Sequence, residues 1–133
     1  MCLARVTDQQ VNTNIGYKVF EVGDRFGEFK TPVAGKEFQL GVEKRDNSKA
    51  IVRIPANRYR RWSEQDYKAG YHIFINLSDA EKYAKRGQLI CMVHFNCVSA
   101  VGFQGLRVGR RVDNALTVVA SRMTIMQVMG QKK

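Results

Sequence analysis

An α+β fold, strand-rich with a mostly antiparallel sheet and one or two short helices, is what this 133-residue sequence predicts. Short apolar runs with period-two alternation recur along the chain, separated by Gly, Pro and Asn. The stretch 70–87 couples one such run to a helical pattern. Hydrophobic residues make up 44% and charged residues 26%, values that suit a packed core rather than a disordered chain. The length fits one domain, and the expected organisation is a flexible N-terminal segment over 1–15, a single α+β domain over 16–129 and a basic tail over 130–133.

In chain order, strands are expected over 17–22, near 25–30, and over 37–44, 50–54, 71–76, 89–98 and 116–128. Within 89–98, Leu89, Cys91, Val93, Phe95 and Cys97 share one face, while Ile90, Met92, His94 and Asn96 pass from apolar to polar on the other. The last run is long for one strand, and Ala120-Ser121-Arg122 reads as a bend or bulge that re-aims it. Ser78 followed by Glu81 has the spacing of a capping box, so a helix is expected from Asp79, with Ala80, Tyr83 and Ala84 as its buried stripe. Gly87 offers the left-handed conformation that closes it. A second helix is expected over 62–68, opened by Ser63.

Residues 1–15 lack the basic-then-apolar order of a secretory signal, and no stretch reaches the roughly 20 apolar residues of a membrane span. A soluble protein of the cytoplasm is expected. Cys91 and Cys97 fall about 20 Å apart on one strand, beyond bridging range. With no Cys-x-x-Cys and two isolated histidines, His72 and His94, neither a disulfide nor a metal site is expected, and nothing calls for a cofactor.

Charge supplies the main functional signal. The formal net charge is +10, and residues 58–133 carry +8 of it against +2 for residues 1–57. Arg58, Arg60 and Arg61 interleave with Tyr59 and Trp62, the pairing that lets guanidinium groups hold phosphates while aromatic faces stack on bases. The same spacing equally suits two core aromatics rimmed by arginines. Lys82, Lys85 and Arg86 end the expected helix, as a solvated face or as part of a basic surface. Between two strong strands, residues 101–111 hold three glycines with Arg107, Arg110 and Arg111, either an anion-binding connection or a hairpin loop with solubilising charge. No Gly-Lys-Ser/Thr follows it, so it is not a P-loop. No Gly-x-Ser-x-Gly elbow is present and no carboxylate follows Asp113, so hydrolytic chemistry has no positive signal.

Over nearly its whole length the chain resembles a group of short uncharacterised phage and bacterial proteins. The resemblance rests on Met1-Cys2-Leu3, Tyr17-Lys18-Val19, Thr31-Pro32, Glu37-Phe38-x-Leu40-Gly41, Gly70-Tyr71-His72-x-Phe74, Asp79-Ala80 and Val119-Ala120-Ser121-x-Met123-Thr124-Ile125. It implies a compact α+β domain and a phage setting, and it implies no mechanism. Locally, Gly-x-His-x-Phe followed by a short helix with Ala and Tyr is similar to the core strand and helix of the ADP-ribosyltransferase fold. That likeness implies a nicotinamide-type pocket near His72 and Tyr83. Active members of that fold carry a catalytic Glu on a late strand, where this chain has Gln127.

These observations lead to the expectation of a non-enzymatic phage-type accessory protein. It would capture a phosphate-rich ligand, either a nucleotide signal of host defence or nucleic acid, on a basic surface of its C-terminal half. The alternatives are an ADP-ribosyltransferase-like enzyme and an inhibitor that binds an acidic host protein. A homo-oligomer is compatible with the long β segments, whose edges pairing would cover.

Overall fold

A computed structural model describes residues 3–23, 28–32, 36–56, 64–108 and 110–133, with the backbone alone at 107, 108 and 111. Among the described residues the chain forms ten strands and one helix. They are β1 (Arg5–Thr7), β2 (Ile15–Val22), β3 (Glu28–Lys30), β4 (Glu37–Gln39), β5 (Lys44–Arg45), β6 (Ile51–Ile54), β7 (Gln65–Lys68), β8 (Tyr71–Phe74), α1 (Leu77–Tyr83), β9 (Leu89–Val108) and β10 (Arg111–Gln131). The fold is therefore strand-rich and mostly antiparallel, with one short helix.

β9 and β10 form one long hairpin, paired from Leu89↔Gln131 to Val108↔Arg111. Strands this long must bend to enclose a core, and the ladder shifts register at Val119/Ala120, Ile125/Gln127 and Val128/Gly130. Cys97 sits near the first shift with φ of 60°, the left-handed region that β-strands do not use. The alternation along β9 breaks there: Cys91, Val93 and Phe95 are buried, while Cys97 is exposed.

The bend lets the sheet curl on itself. One edge of β9 carries β2 along Leu89–His94 and β1 along Val101–Phe103. The outer edge of β10 carries β8 along Thr117–Ala120, then β5 at Arg122–Met123, and then Leu40 against Ile125. β8 meets β2 at one pair, Tyr17↔Phe74, which closes a ring of β2, β9, β10 and β8. Gly16 permits that crossing, since a Cβ there would lie 2.5 Å from Ile73 Cγ2 and 2.8 Å from the Phe74 carbonyl oxygen. From β2 the sheet continues through β3 to β4.

Three apolar clusters follow from this arrangement. Inside the curl lie Phe20, Phe29, Phe38, Tyr71, Ile73, Val93, Phe95 and Met123, with edge-on ring contacts of Phe20 with Phe38 and of Phe38 with Tyr71, both at 5.4 Å. Val19, Phe74, Ile90, Leu106 and Ala115 on the outer faces receive Ala80 of α1 and Ala84 just after it. Beneath the β6–β7 hairpin, Leu3, Ile54, Tyr67, Ala100 and Val119 form the third. Central β10 is consequently buried on both faces, which explains its unbroken run Val118-Val119-Ala120.

Several expectations need correction. Residues 65–68, expected in a second helix, form β7 instead and pair with β6, because Tyr67 alternates inward against Leu3 and Val119. Residues 62–63 of that stretch lie outside the described residues. Within the N-terminal segment expected to be flexible, Arg5–Thr7 pairs with β9 and Leu3 is buried. The run 37–44 divides into β4 and β5 around Gly41, whose φ is 76°. The helix begins at Leu77, not Asp79, and its N-cap is Asn76 rather than Ser78. There the Asn76 carbonyl accepts the Asp79 and Ala80 N–H groups, and the Asn76 side chain donates to Asp79. Gly87 does adopt a positive φ, of 86°, but in the turn after the helix, with Ala84 as the C-cap. At the expected basic tail, Gln131 is still strand, and Lys132 is tied to Gln88 through its backbone N–H and to the Glu81 carbonyl through its ammonium.

Candidate functional site

The single pair joining β2 to β8 leaves a split in the wall. Past Tyr17↔Phe74 the two strands part, and a cavity of about 290 Å³ opens between Lys18 and Val19 on one side and Gly70, Tyr71, His72 and Phe74 on the other. The connection after β3 adds Thr31, Pro32 and Lys36; the segment after β5 adds Asp46 and Ser48; α1 adds Tyr83. Backbone packing sets the rim, since a Cβ on Gly70 would lie 2.7 Å from the Ala120 carbonyl oxygen.

Lys18 crosses the split. Its ammonium donates to the His72 carbonyl at 2.8 Å, doing between side chain and backbone what strand pairing does elsewhere in the ring. Lys18 as a residue is only partly buried, but its ammonium is surrounded by protein, and the chemistry follows the ammonium. Burial, reinforced by the nearby positive charge of Lys36, pushes its pKa down to about 8. Among the described residues no carboxylate forms an ion pair with it. The carboxylate at the rim, Asp46, is held by Lys36 at 3.6 Å, and the Lys36 ammonium also lies 5.7 Å from the Tyr71 ring centroid.

His72, which also lines the cavity, is held in a relay. The Leu3 N–H donates to the Tyr67 hydroxyl at 3.0 Å, and that hydroxyl lies 3.2 Å from His72 Nε2. The Tyr67 oxygen accepts from Leu3, and which of Tyr67 and His72 donates in the second contact follows the imidazole tautomer. Burial first, and then the Lys18 ammonium, lower the His72 pKa to about 4. Burial and the Asp46 carboxylate raise Tyr71 to about 12, and burial raises Tyr83. Near neutral pH the cavity thus presents two ammonium groups, two neutral phenols and a neutral imidazole on apolar walls. Its polar groups can grip an anion, but its carboxylate is occupied and its imidazole is a weak base.

The residues singled out from sequence divide into three groups. Arg58, Tyr59, Arg60, Arg61 and Trp62 lie outside the described residues. His72 and Tyr83 both line the cavity, with the Tyr83 ring 5.4 Å from that of Phe74. The remaining basic residues lie away from it. Lys82 is 3.5 Å from Asp113 Oδ2, Lys85 and Arg86 are exposed beyond α1, and Arg110 is exposed at the β9–β10 turn. Arg107 and Arg111 are strand residues opposite Val112 and Val108, so the expected connection over 101–111 is largely ladder, with Arg110 in a turn. Gln127 pairs with Met92 and is exposed outside the cavity.

Sequence reasoning missed Lys18 and Lys36 as site residues, because both belong to the half with little net charge. One signal was present. Tyr17-Lys18-Val19, Thr31-Pro32 and Gly70-Tyr71-His72-x-Phe74, three segments singled out in the sequence, converge on this cavity. Among the described residues no cluster of three or more His, Cys, Asp or Glu side chains is placed to hold a metal ion, and no helix is long and apolar enough to cross a membrane. No protein-family model, curated protein or solved structure matches the chain.

Proposed function

We propose that this protein captures a small phosphate-bearing ligand, such as a nucleotide, in the cavity between β2 and β8, without chemical conversion. One observation carries the reading: an ammonium enclosed at the wall of an apolar cavity, with a carbonyl as its acceptor and no carboxylate in ion-pair contact among the described residues. A buried charge without a counter-charge is unfavourable in the empty protein, and an anion relieves it. Lys36 supplies a second positive charge, and Tyr71, Tyr83 and Pro32 supply flat surface for a ring. The volume suits one small molecule and not a polynucleotide, which favours a nucleotide over nucleic acid. A phage setting, in which the ligand is a nucleotide signal of host defence, is the context the sequence resemblance suggests.

Calorimetric titration with ADP at pH 7 tests this. Saturable one-to-one binding, weakened at least tenfold in Lys18→Met and returning unchanged ADP on denaturation, is the expected result. Absence of binding, or a converted nucleotide, would overturn it.

An ADP-ribosyltransferase-like activity is the second reading, favoured by the placement of both His72 and Tyr83 at the cavity. The exposed position of Gln127 outside the cavity weighs against it. Labelled NAD that is neither hydrolysed nor transferred would dispose of it.

A further inference from the structure

We infer that Lys18 is an amine nucleophile, and that the cavity holds a small aldehyde or ketone bearing a phosphate as a reversible imine on Lys18 Nζ. This rests on reading the cavity as an anion site and narrows its ligand to a phosphate compound that also carries a carbonyl, with ADP kept as a probe of the anion site alone.

Three features support the assignment. Lys18 reaches the cavity from β2, and one of its three donor hydrogens is engaged by the His72 carbonyl, which fixes the direction of Nζ. The cavity that Lys18 lines has Val19, Val52, Pro32, Tyr71 and Phe74 among its walls, apolar surroundings that disfavour an ammonium and favour the free amine. The titratable groups lining the same cavity are Tyr71 and His72 from β8, Lys36 from the connection after β3, Asp46 from beyond β5 and Tyr83 from α1. Of these, only Asp46 carries negative charge at neutral pH, and Lys36 holds it. Lys36, with its ammonium 3.6 Å from Asp46, is the other cation lining the cavity.

Chemically the step is self-contained. The amine lone pair adds to the carbonyl carbon, one amine hydrogen passes to the carbonyl oxygen to give a carbinolamine, and the second leaves with that oxygen as water while the C=N bond forms. No oxidant or co-reactant is required, and hydrolysis reverses it. With the ammonium pushed down to about 8, about a tenth of Lys18 is free amine at pH 7, compared with less than about a thousandth for an ordinary lysine.

Pyridoxal 5′-phosphate, which carries an aldehyde, a phosphate and a planar ring, is the probe. One equivalent is mixed with the full chain at pH 7, borohydride reduces any imine, and peptide mass spectrometry locates the adduct. Expected is labelling of Lys18 at least tenfold above any other lysine, lost in Lys18→Arg, whose thermal unfolding is followed to establish that it folds. Labelling spread over exposed lysines such as Lys49 and Lys85 with Lys18 unmodified overturns the inference. If native protein then still binds ADP and Lys18→Met does not, the anion site stands and only the covalent step fails; if ADP binding is absent too, both fall.

Discussion

Replacing Lys18 by Met should make this protein more stable while removing its ligand. A pKa lowered from 10.5 to about 8 means that the charged form of Lys18 is disfavoured in the fold by about 3 kcal/mol. Methionine fills the same space without charge, but it forfeits the hydrogen bond from a charged donor to the His72 carbonyl, a loss of about 1.5–3 kcal/mol. The variant should gain up to about 1.5 kcal/mol at pH 7. The gain must depend on pH. Below 8 both folded and unfolded chains carry the proton and the native protein bears the full penalty; between 8 and 10.5 the folded chain has released it while the unfolded chain retains it. Native stability therefore rises with pH relative to the variant, and the difference should narrow by about 1 kcal/mol between pH 7 and 9. Urea unfolding followed by circular dichroism at pH 7, 8 and 9 measures this. A variant less stable than native by more than about 1 kcal/mol at pH 7, or a difference that does not change with pH, would refute the reasoning.

Other perturbations follow from the same geometry. Because folded His72 titrates near 4 and the unfolded side chain near 6.5, the unfolded chain alone takes up that proton as pH falls through this window; His72→Gln should lessen the acid sensitivity of urea unfolding, by up to about 3 kcal/mol at pH 4. Gly16→Ala should lower stability by about 2 kcal/mol or more, since the added methyl meets Ile73 and the Phe74 carbonyl where β2 and β8 cross, and a thermal melt reads the effect. Phe38→Ala, which empties the position packed edge-on against both Phe20 and Tyr71, should lower denaturant stability by about 3–5 kcal/mol. Lys82→Ala, at a solvent-accessible pair with Asp113, should change stability by less than about 1 kcal/mol, and added salt should erase the change.

Local patterns in the sequence carried much of this fold. Alternation placed β2, β6, β8 and the Leu89 half of β9, and the Ala80, Ala84 stripe placed α1, because those elements present one face to the core. Elements whose form depends on distant partners were not legible. Gln65–Lys68 became strand through pairing with β6, and the glycines at 102 and 105 looked like loop residues although Gly102 makes room for β1, where a Cβ would come 2.2 Å from the Arg5 carbonyl oxygen. The charged residues of the cavity were hidden in the same way. Clusters such as Lys82, Lys85 and Arg86 are visible in sequence because they are adjacent, whereas Lys18, Lys36 and Asp46 come together only when the strand ring closes. His72 and Tyr83 were found, and what brought them to notice was the strand–helix pattern of 70–87 and not their charge.

The most direct test of the site is the titration of Lys18 itself, followed by NMR of protein carrying ¹³C-labelled lysine, with and without ADP. The account predicts one lysine titrating near 8 in the free protein, absent in Lys18→Met, and moving back toward 10.5 when ADP binds. A Lys18 that titrates near 10.5 without ligand, or near 8 with ADP bound, would contradict it.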